Sequence, residues 1–399
     1  MTDNIFRVFF DPSWCSGIKE ADIIQLVQNL LFSYKFRSSN PPNDTRIKEA
    51  FHYFLDLRGI VEVTTIELCD AILIPIGHKG AYFHGNTEKK RFEEVSRQAN
   101  ALSVMHGKPI LVHGYTKDIS NTKTHVNIPI NNKTQVQIPI NNMIYISYSL
   151  LHSKAPSNYM SMPYFIPDYL QILQNGCLNL VNKSLPSVGF CGVAPPFGQK
   201  ITKTWFFDCL RLLLSYLNRF QIGTDKLTHL GNTDMKHAYR TRVLLGVIKS
   251  KHIQTDFTIR DLGGLVSAKY WREPLNSKFH VTYFNTLLNN LYIVCSRGTE
   301  NYSISFFETL SLGRIPIIVD SDLRLIFPDI INYSRNCCLI PKKDLHKAAS
   351  YVINHFSRYS MEELQQIQQE NRRIWVEYLS FTGFYSNIKK LLMAYQLLH

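Results

Sequence analysis

A chain of 399 residues is about twice the size of one ordinary domain, which excludes a minimal binding module and predicts two domains. Hydrophobic residues make up 45% of it, with 24 Phe and 21 Tyr to fill a core, which excludes a disordered chain. Its 44 Lys and Arg exceed its 31 Asp and Glu by 13, and such an excess favours anionic partners: nucleotides, nucleic acid or an acidic membrane face.

The positive residues are scattered, with short clusters such as Lys89-Lys90-Arg91 and no long run, so a diffuse basic surface is expected rather than a nucleic-acid arm. The eight cysteines are irregularly spaced without a Cys-x-x-Cys pair, and read as buried free thiols of a reducing compartment. The first residues lack the pattern of a signal peptide, and no window reaches the roughly 18 apolar residues of a membrane span. A cytoplasmic protein is expected, with peripheral membrane contact as the only membrane association.

In chain order, Phe6–Phe10 reads as a strand ending at Asp11-Pro12, 21–36 as an amphipathic helix, Ala71–Ile76 as a buried strand, 87–106 as a helix and 109–113 as another strand. This rhythm predicts a parallel, doubly wound sheet. A tandem repeat follows: Thr124-His125-Val126-Asn127-Ile128-Pro129-Ile130-Asn131-Asn132 recurs as Thr134-Gln135-Val136-Gln137-Ile138-Pro139-Ile140-Asn141-Asn142. It predicts a hairpin or edge extension, its prolines keeping both segments off a central strand position; a duplicated surface loop and a substrate-contacting flap are both open readings.

Pro-, Ser- and Asn-rich text then loosens the pattern, and a domain boundary is set between 182 and 183. Beyond it, strands are expected at 187–191 and 292–296, and helices at 202–216, 240–249 and 279–288. The most informative stretch is Leu291 to Asp322: an apolar strand, a polar loop, a helix opening at Ser303, Gly313 as its αL cap, and a second apolar strand over 315–319. In such a βαβ unit the loop after the first strand meets a helix N-terminus whose free N–H groups favour anions. Arg297 at the strand exit is placed to pair with phosphate, and Ser303 suits the N-cap. Glu308, among Phe306, Phe307, Leu310 and Leu312, needs a donor pair that the two ribose hydroxyls of a nucleotide would supply; the alternative is a half-exposed helix residue.

The run from Arg297 to Pro316 (RGTENYSISFFETLSLGRIP) resembles the signature of the exostosin-like glycosyltransferases: RG, a short loop, S-x-R, then FYE-x-L-x-x-GRIP. Val188-Gly189-Phe190-Cys191-Gly192, Asp256-Phe257-Thr258-Ile259-Arg260 and Asn371-Arg372-Arg373-Ile374-Trp375 with Tyr378-Leu379-Ser380 are similar to further elements of that family, the last to its bacterial-type members. Cys69-Asp70-Ala71 through Pro75 resembles a weaker first-domain pattern. Where the pattern has a basic residue after the serine, this chain has Ser305, with Arg240, Arg242 and Arg260 as the nearest replacements.

The resemblance implies a GT-B fold, two Rossmann-like domains facing across a cleft. An acceptor-binding domain would span 1–182, and a nucleotide-sugar-binding domain with closing helices 183–399. It implies transfer, with inversion, from a nucleotide-sugar donor, UDP-sugar favoured, to a glycan or glycolipid acceptor, as in polysaccharide biosynthesis. The donor site would comprise Arg260, Arg297, Gly298, Ser303, Ser305 and Glu308. No metal cofactor is expected; Asp320-Ser321-Asp322 lacks a supporting ligand cluster. The general base would come from first-domain loops, from Asp11 at the first strand's exit or from His78 or His84 after the strand at 71–76. Two other classes stand beside this one: a non-catalytic glycan- or nucleotide-binding protein, suggested by Ser305, and a basic nucleic-acid-binding protein, suggested by charge alone. No nucleic acid partner is expected.

Overall fold

The computed structural model describes residues 5–14, 61–75, 86–113, 120–122, 125–131, 134–139, 143–147, 159–194, 239–260, 275–296 and 302–396. They form an α/β protein with two parallel sheets, as the alternating strand and helix patterns predict. The expected helices at 21–36 and 202–216 lie outside the described residues. Two compact units are present: Met1–Ile172 with Asp322–Ile331 and Arg373–His399, and Leu173–Ser321 with Asn332–Arg372.

The first unit runs β1 (Phe6–Phe9), β2 (Val61–Val63), β3 (Ala71–Pro75), α1 (Asn86–His106), β4 (Ile110–His113), β5 (Ser120–Thr122), β6 (His125–Asn131), β7 (Thr134–Pro139), β8 (Met143–Ser147), β9 (Tyr159–Ser161) and α2 (Tyr169–Gln174). Its sheet has the order β2-β1-β3-β4-β8-β9, every pairing parallel. Strand β3 carries a continuous apolar run because Ala71 through Ile74 are buried on both faces, the mark of an interior parallel strand.

The repeat at 124–142 does form a hairpin, β6 against β7, in register Val126↔Ile138 and Ile128↔Val136. One expectation needs correction: β6 is the middle strand of a separate three-stranded sheet, β5-β6-β7, despite Pro129. Strand β5 pairs only with residues 125–127, so Pro129 lies beyond it with a neighbour on one side only, and the β6–β7 ladder slips between Pro129 and Asn131.

The second unit contributes β10 (Ser187–Val193), α3 (239–248), β11 (Gln254–Arg260), α4 (Lys278–Asn289), β12 (Tyr292–Val294), α5 (Ile304–Ser311), β13 (Ile315–Asp320), β14 (Cys338–Pro341), α6 (Ala348–Ser357) and α7 (Met361–Ile374). The sheet order is β11-β10-β12-β13-β14, all parallel. Strand order therefore reverses at β10, and the crevice outside the carboxyl ends of β10 and β12 is the switch point where doubly wound sheets take ligands. Val188, Phe190, Tyr292, Val294, Ile315 and Ile317 pack with Val243, Leu244 and Val247 of α3 and Val352 of α6 on one face. On the other, a Cβ at Gly189 would stand 2.9 Å from the Thr286 carbonyl, so only glycine lets α4 come this close to β10.

The last helix, α8 (Phe381–Gln396), returns to the first unit. The boundary at 182/183 assigned everything after it to one domain; the units instead interleave, for reasons of aromatic burial and charge. Tyr385 stacks on Phe6 at 5.6 Å and Phe381 meets Phe165 edge-on at 5.1 Å. Lys389 Nζ lies 3.2 Å from Asp70 Oδ1 and donates to the Ile5 carbonyl, while Asp70 Oδ2 accepts from the Arg7 N–H at 2.7 Å. Asp70, singled out in a sequence pattern, thus ties β1 to α8.

Candidate functional site

At the exit of β12 the chain passes from Val294 through Cys295 and Ser296 toward Tyr302 and α5. Cys295 is fixed from three directions: its N–H donates to the Ile317 carbonyl at 2.9 Å, and its thiol reaches the Ser305 carbonyl at 3.5 Å and Thr309 Oγ1 at 3.3 Å. Burial pushes that thiol up to about 12, so it remains a neutral packing group. Of the eight cysteines, Cys69, Cys191, Cys295, Cys337 and Cys338 are buried free thiols as expected, whereas Cys177 is exposed.

Ser303 stands at the N-cap position of α5, as expected, but does not cap it with its side chain. Its hydroxyl pairs instead with Ser305 Oγ at 2.7 Å, because two serines two positions apart at the helix start offer each other a nearer partner than the orphan amides. At the other end Gly313, with φ +67°, donates to the Leu310 carbonyl and Arg314 N–H to the Thr309 carbonyl, both at 2.9 Å. This pair of bonds is a Schellman cap, and Gly313 is the αL residue it requires.

Glu308 is 0% exposed, so it is not a half-exposed surface residue. It accepts a hydrogen bond from the Tyr283 hydroxyl of α4. The donor that a carboxylate needs in apolar company is therefore present in the protein itself, and Tyr283 is a residue the sequence reading did not single out. Arg240, at the start of α3, donates from Nη2 to the Ser296 carbonyl at 3.0 Å, and its guanidinium lies 5.6 Å from the Phe190 ring. Burial lowers its pKa, and the neighbouring Cys295 and Tyr283 oppose that shift. Arg242, two residues on, is exposed.

Arg260 closes β11 and stacks on Phe279 at 3.5 Å from the ring centroid, donating to that residue's carbonyl at 3.2 Å. Ser303, Ser305 and Glu308 are brought together on α5; Arg297 and Gly298 lie outside the described residues. In the first unit Asp11 follows β1 at that sheet's own switch point, between β1 and β3. Its Oδ1 accepts from Ser13 N–H at 2.8 Å and its carbonyl from Trp14 N–H at 3.1 Å, so it caps the turn Pro12–Trp14. His78 and His84 lie outside the described residues.

The rest of the motif proves to be a staple. Arg314, 1% exposed, donates from Nη2 to the carbonyls of Asn179 (2.9 Å) and Leu288 (2.8 Å) and from Nε again to Leu288, closing the C-terminal end of α4. Burial holds its pKa down to about 10. Asn371 Nδ2 donates to the carbonyls of Arg314 (2.9 Å) and Asn336 (3.0 Å), and Arg372 Nη1 to that of Ser311 (2.9 Å). Gln368 pairs through its amide with both the N–H and the carbonyl of Val181. Helix α7, itself opened by a reciprocal Ser360/Glu363 cap, is clamped in this way onto the α5–β13 turn. Among the described residues no three His, Cys, Asp or Glu side chains gather as a metal site, and no helix is long and apolar enough to cross a membrane.

Fold and site together define a doubly wound α/β protein whose second sheet carries a group of polar side chains beside its switch point. No protein-family profile matches the chain. A stretch of 122 residues is 24% identical to a probable glucuronosyltransferase of rice, Oryza sativa subsp. japonica, covering 30% of this chain and 28% of that protein. Among solved structures, the chain is similar to TarM (TM-score 0.32, 11% identity, 84% of this chain and 50% of that one). It is also similar to Anabaena HepE in complex with UDP and glucose (0.32, 10%, 98% and 100%) and to the spinosyn rhamnosyltransferase SpnG complexed with thymidine diphosphate (0.30, 10%, 93% and 82%). The chain thus spans half the length of TarM, and the rice match little more than a quarter of its partner.

Proposed function

We propose that this chain is a glycosyltransferase of the GT-B type, moving a sugar with inversion from a nucleotide-sugar, a UDP-sugar first, to a glycan or glycolipid acceptor. The observation that carries the reading is the β12–α5–Gly313–β13 unit at the switch point of the second sheet, where buried Glu308, more than one turn into α5, accepts from Tyr283. The 122-residue similarity to a probable glucuronosyltransferase supports the same class.

In the proposed reaction Glu308 takes the ribose hydroxyls, and Arg297, Gly298, Ser303, Ser305 and Arg260 surround the diphosphate and sugar. Charge grows on the leaving diphosphate as the glycosidic bond breaks. Helix N–H groups and guanidinium cations neutralise it, which is why no metal is required. The base that takes the acceptor hydroxyl proton is assigned to Asp11, with His78 and His84 as the alternatives.

Thermal-shift screening with UDP- and GDP-sugars tests the reading: a ligand at a hundred times its Kd adds about 2.7 kcal/mol of stability. No shift with any nucleotide-sugar would refute it. A second reading, a binding protein without turnover, is favoured by Ser305 in place of a cation; binding without hydrolysis or transfer of the donor would select it.

A further inference from the structure

The switch-point exit of β12 holds more than the motif residues account for. Ser296, the last described residue before the loop, is buried, and its Oγ has no hydrogen-bond partner. A buried hydroxyl left unbonded in a folded chain calls for an explanation, and an incoming acceptor or donor atom is one. Its own carbonyl is gripped by Arg240 Nη2 at 3.0 Å. Arg240 is thereby held at this exit. The same exit abuts the first turn of α5: Cys295, next to Ser296, reaches the Ser305 carbonyl, and the Ser303 and Ser305 hydroxyls occupy each other. A helix N-terminus, an anchored cation and an unsatisfied hydroxyl thus meet at one strand exit.

Resting on the nucleotide-sugar reading above, we propose that Arg240 supplies the cation for the donor's diphosphate at this exit, with Ser296 Oγ as a further ligand, so that the chain dispenses with a basic residue at position 305. Arg240 works from α3 and position 305 from α5, but both meet the end of β12, Arg240 at the Ser296 carbonyl and Ser305 through its carbonyl at the Cys295 thiol. The bond to Ser296 O fixes the guanidinium before any ligand arrives, which reduces the ordering entropy that a flexible cation would lose on binding.

Calorimetry on the full chain with UDP, GDP and the parent nucleosides uridine and guanosine tests the assignment. Arg240→Met should weaken diphosphate binding about ten- to hundredfold while leaving nucleoside affinity unchanged, since charge-assisted bonds to phosphate are lost and base and ribose contacts stay. Adding Ser305→Arg to that variant should restore most of the lost affinity. Arg240→Lys, which keeps a cation on a similar stem, should fall between wild type and Arg240→Met. Unchanged UDP and GDP affinity in Arg240→Met, or equal losses for nucleotide and nucleoside in both Arg240 variants, would overturn the assignment alone. Failure of Ser305→Arg to raise affinity would overturn the equivalence of the two positions. A wild-type chain that binds neither UDP nor GDP would overturn the nucleotide-sugar reading together with it.

Discussion

Acidification should unlock the second unit at His355. This side chain is buried in α6 between two fixed partners: Nε2 faces the Arg335 carbonyl at 3.0 Å and Nδ1 the Tyr292 hydroxyl at 3.0 Å. A carbonyl only accepts, so Nε2 carries the proton and Nδ1 accepts from Tyr292; a second proton on Nδ1 would have to displace that bond and place a charge in the buried site. Burial, reinforced by the Arg358 charge and opposed by the Arg335 carbonyl, lowers its pKa from 6.5 to about 4. Between those values the unfolded chain binds a proton that the folded chain refuses, so stability is complete above pH 6.5 and is lost as pH falls toward 4. At about 1.36 kcal/mol per pH unit the loss approaches about 3 kcal/mol, a sizeable part of the 5–15 kcal/mol typical of a domain. Urea unfolding midpoints measured from pH 7 to pH 4 for the wild type and for His355→Gln, which keeps a donor and an acceptor but cannot titrate, isolate this group from the other histidines. The wild-type curve should fall more steeply by about 3 kcal/mol; parallel curves would refute the burial argument.

Glu308→Gln should weaken UDP and GDP by roughly 1–3 kcal/mol with the fold intact, because glutamine still accepts from Tyr283 but loses the charge-assisted bonds to ribose; unchanged affinity by calorimetry would remove Glu308 from the site. Asp11→Asn should lower kcat at least about a hundredfold at near-normal donor affinity, and transfer should survive EDTA; full activity in the variant moves the base to His78 or His84, and loss in EDTA restored by manganese ends the metal-free mechanism. Gly313→Ala should destabilise the second unit by about 2–4 kcal/mol in urea, since φ is +67° and the new Cβ would stand 2.8 Å from the immovable Gln368 carbonyl; a cost below about 1 kcal/mol would mean that the turn adapts.

What the sequence disclosed follows from periodicity. Strands such as 71–75 and 315–320 are continuous apolar runs between polar breaks, and Gly313 announces an αL cap by its place after the last helical residue. Burial and partnering are decided by residues far apart in the chain, and there local reading stops. Glu308 looks like an uncompensated charge until Tyr283 is brought across from α4. Ser303 has the residue type of a cap, and only the proximity of Ser305 diverts its hydroxyl. Arg314 sits in the run that reads as binding chemistry, yet it donates to main-chain carbonyls 26 and 135 positions away, those of Leu288 and Asn179. The exchange of segments between the units had no local signal at all, because Tyr385 and Phe165 look like any other core aromatics.

That exchange bears on how the molecule comes into being. Synthesis runs from the N-terminal side onward and domains ordinarily fold as they emerge. Here β1 waits for partners from far along the chain: Phe6 for Tyr385, and the β1 anchor Asp70 for Lys389. A ribosome stalled between β1 and α8 therefore holds a sheet whose strand β1 lacks its aromatic and charged partners. Cutting the chain at any single point cannot release either unit whole, since each draws on segments from both sides of the other.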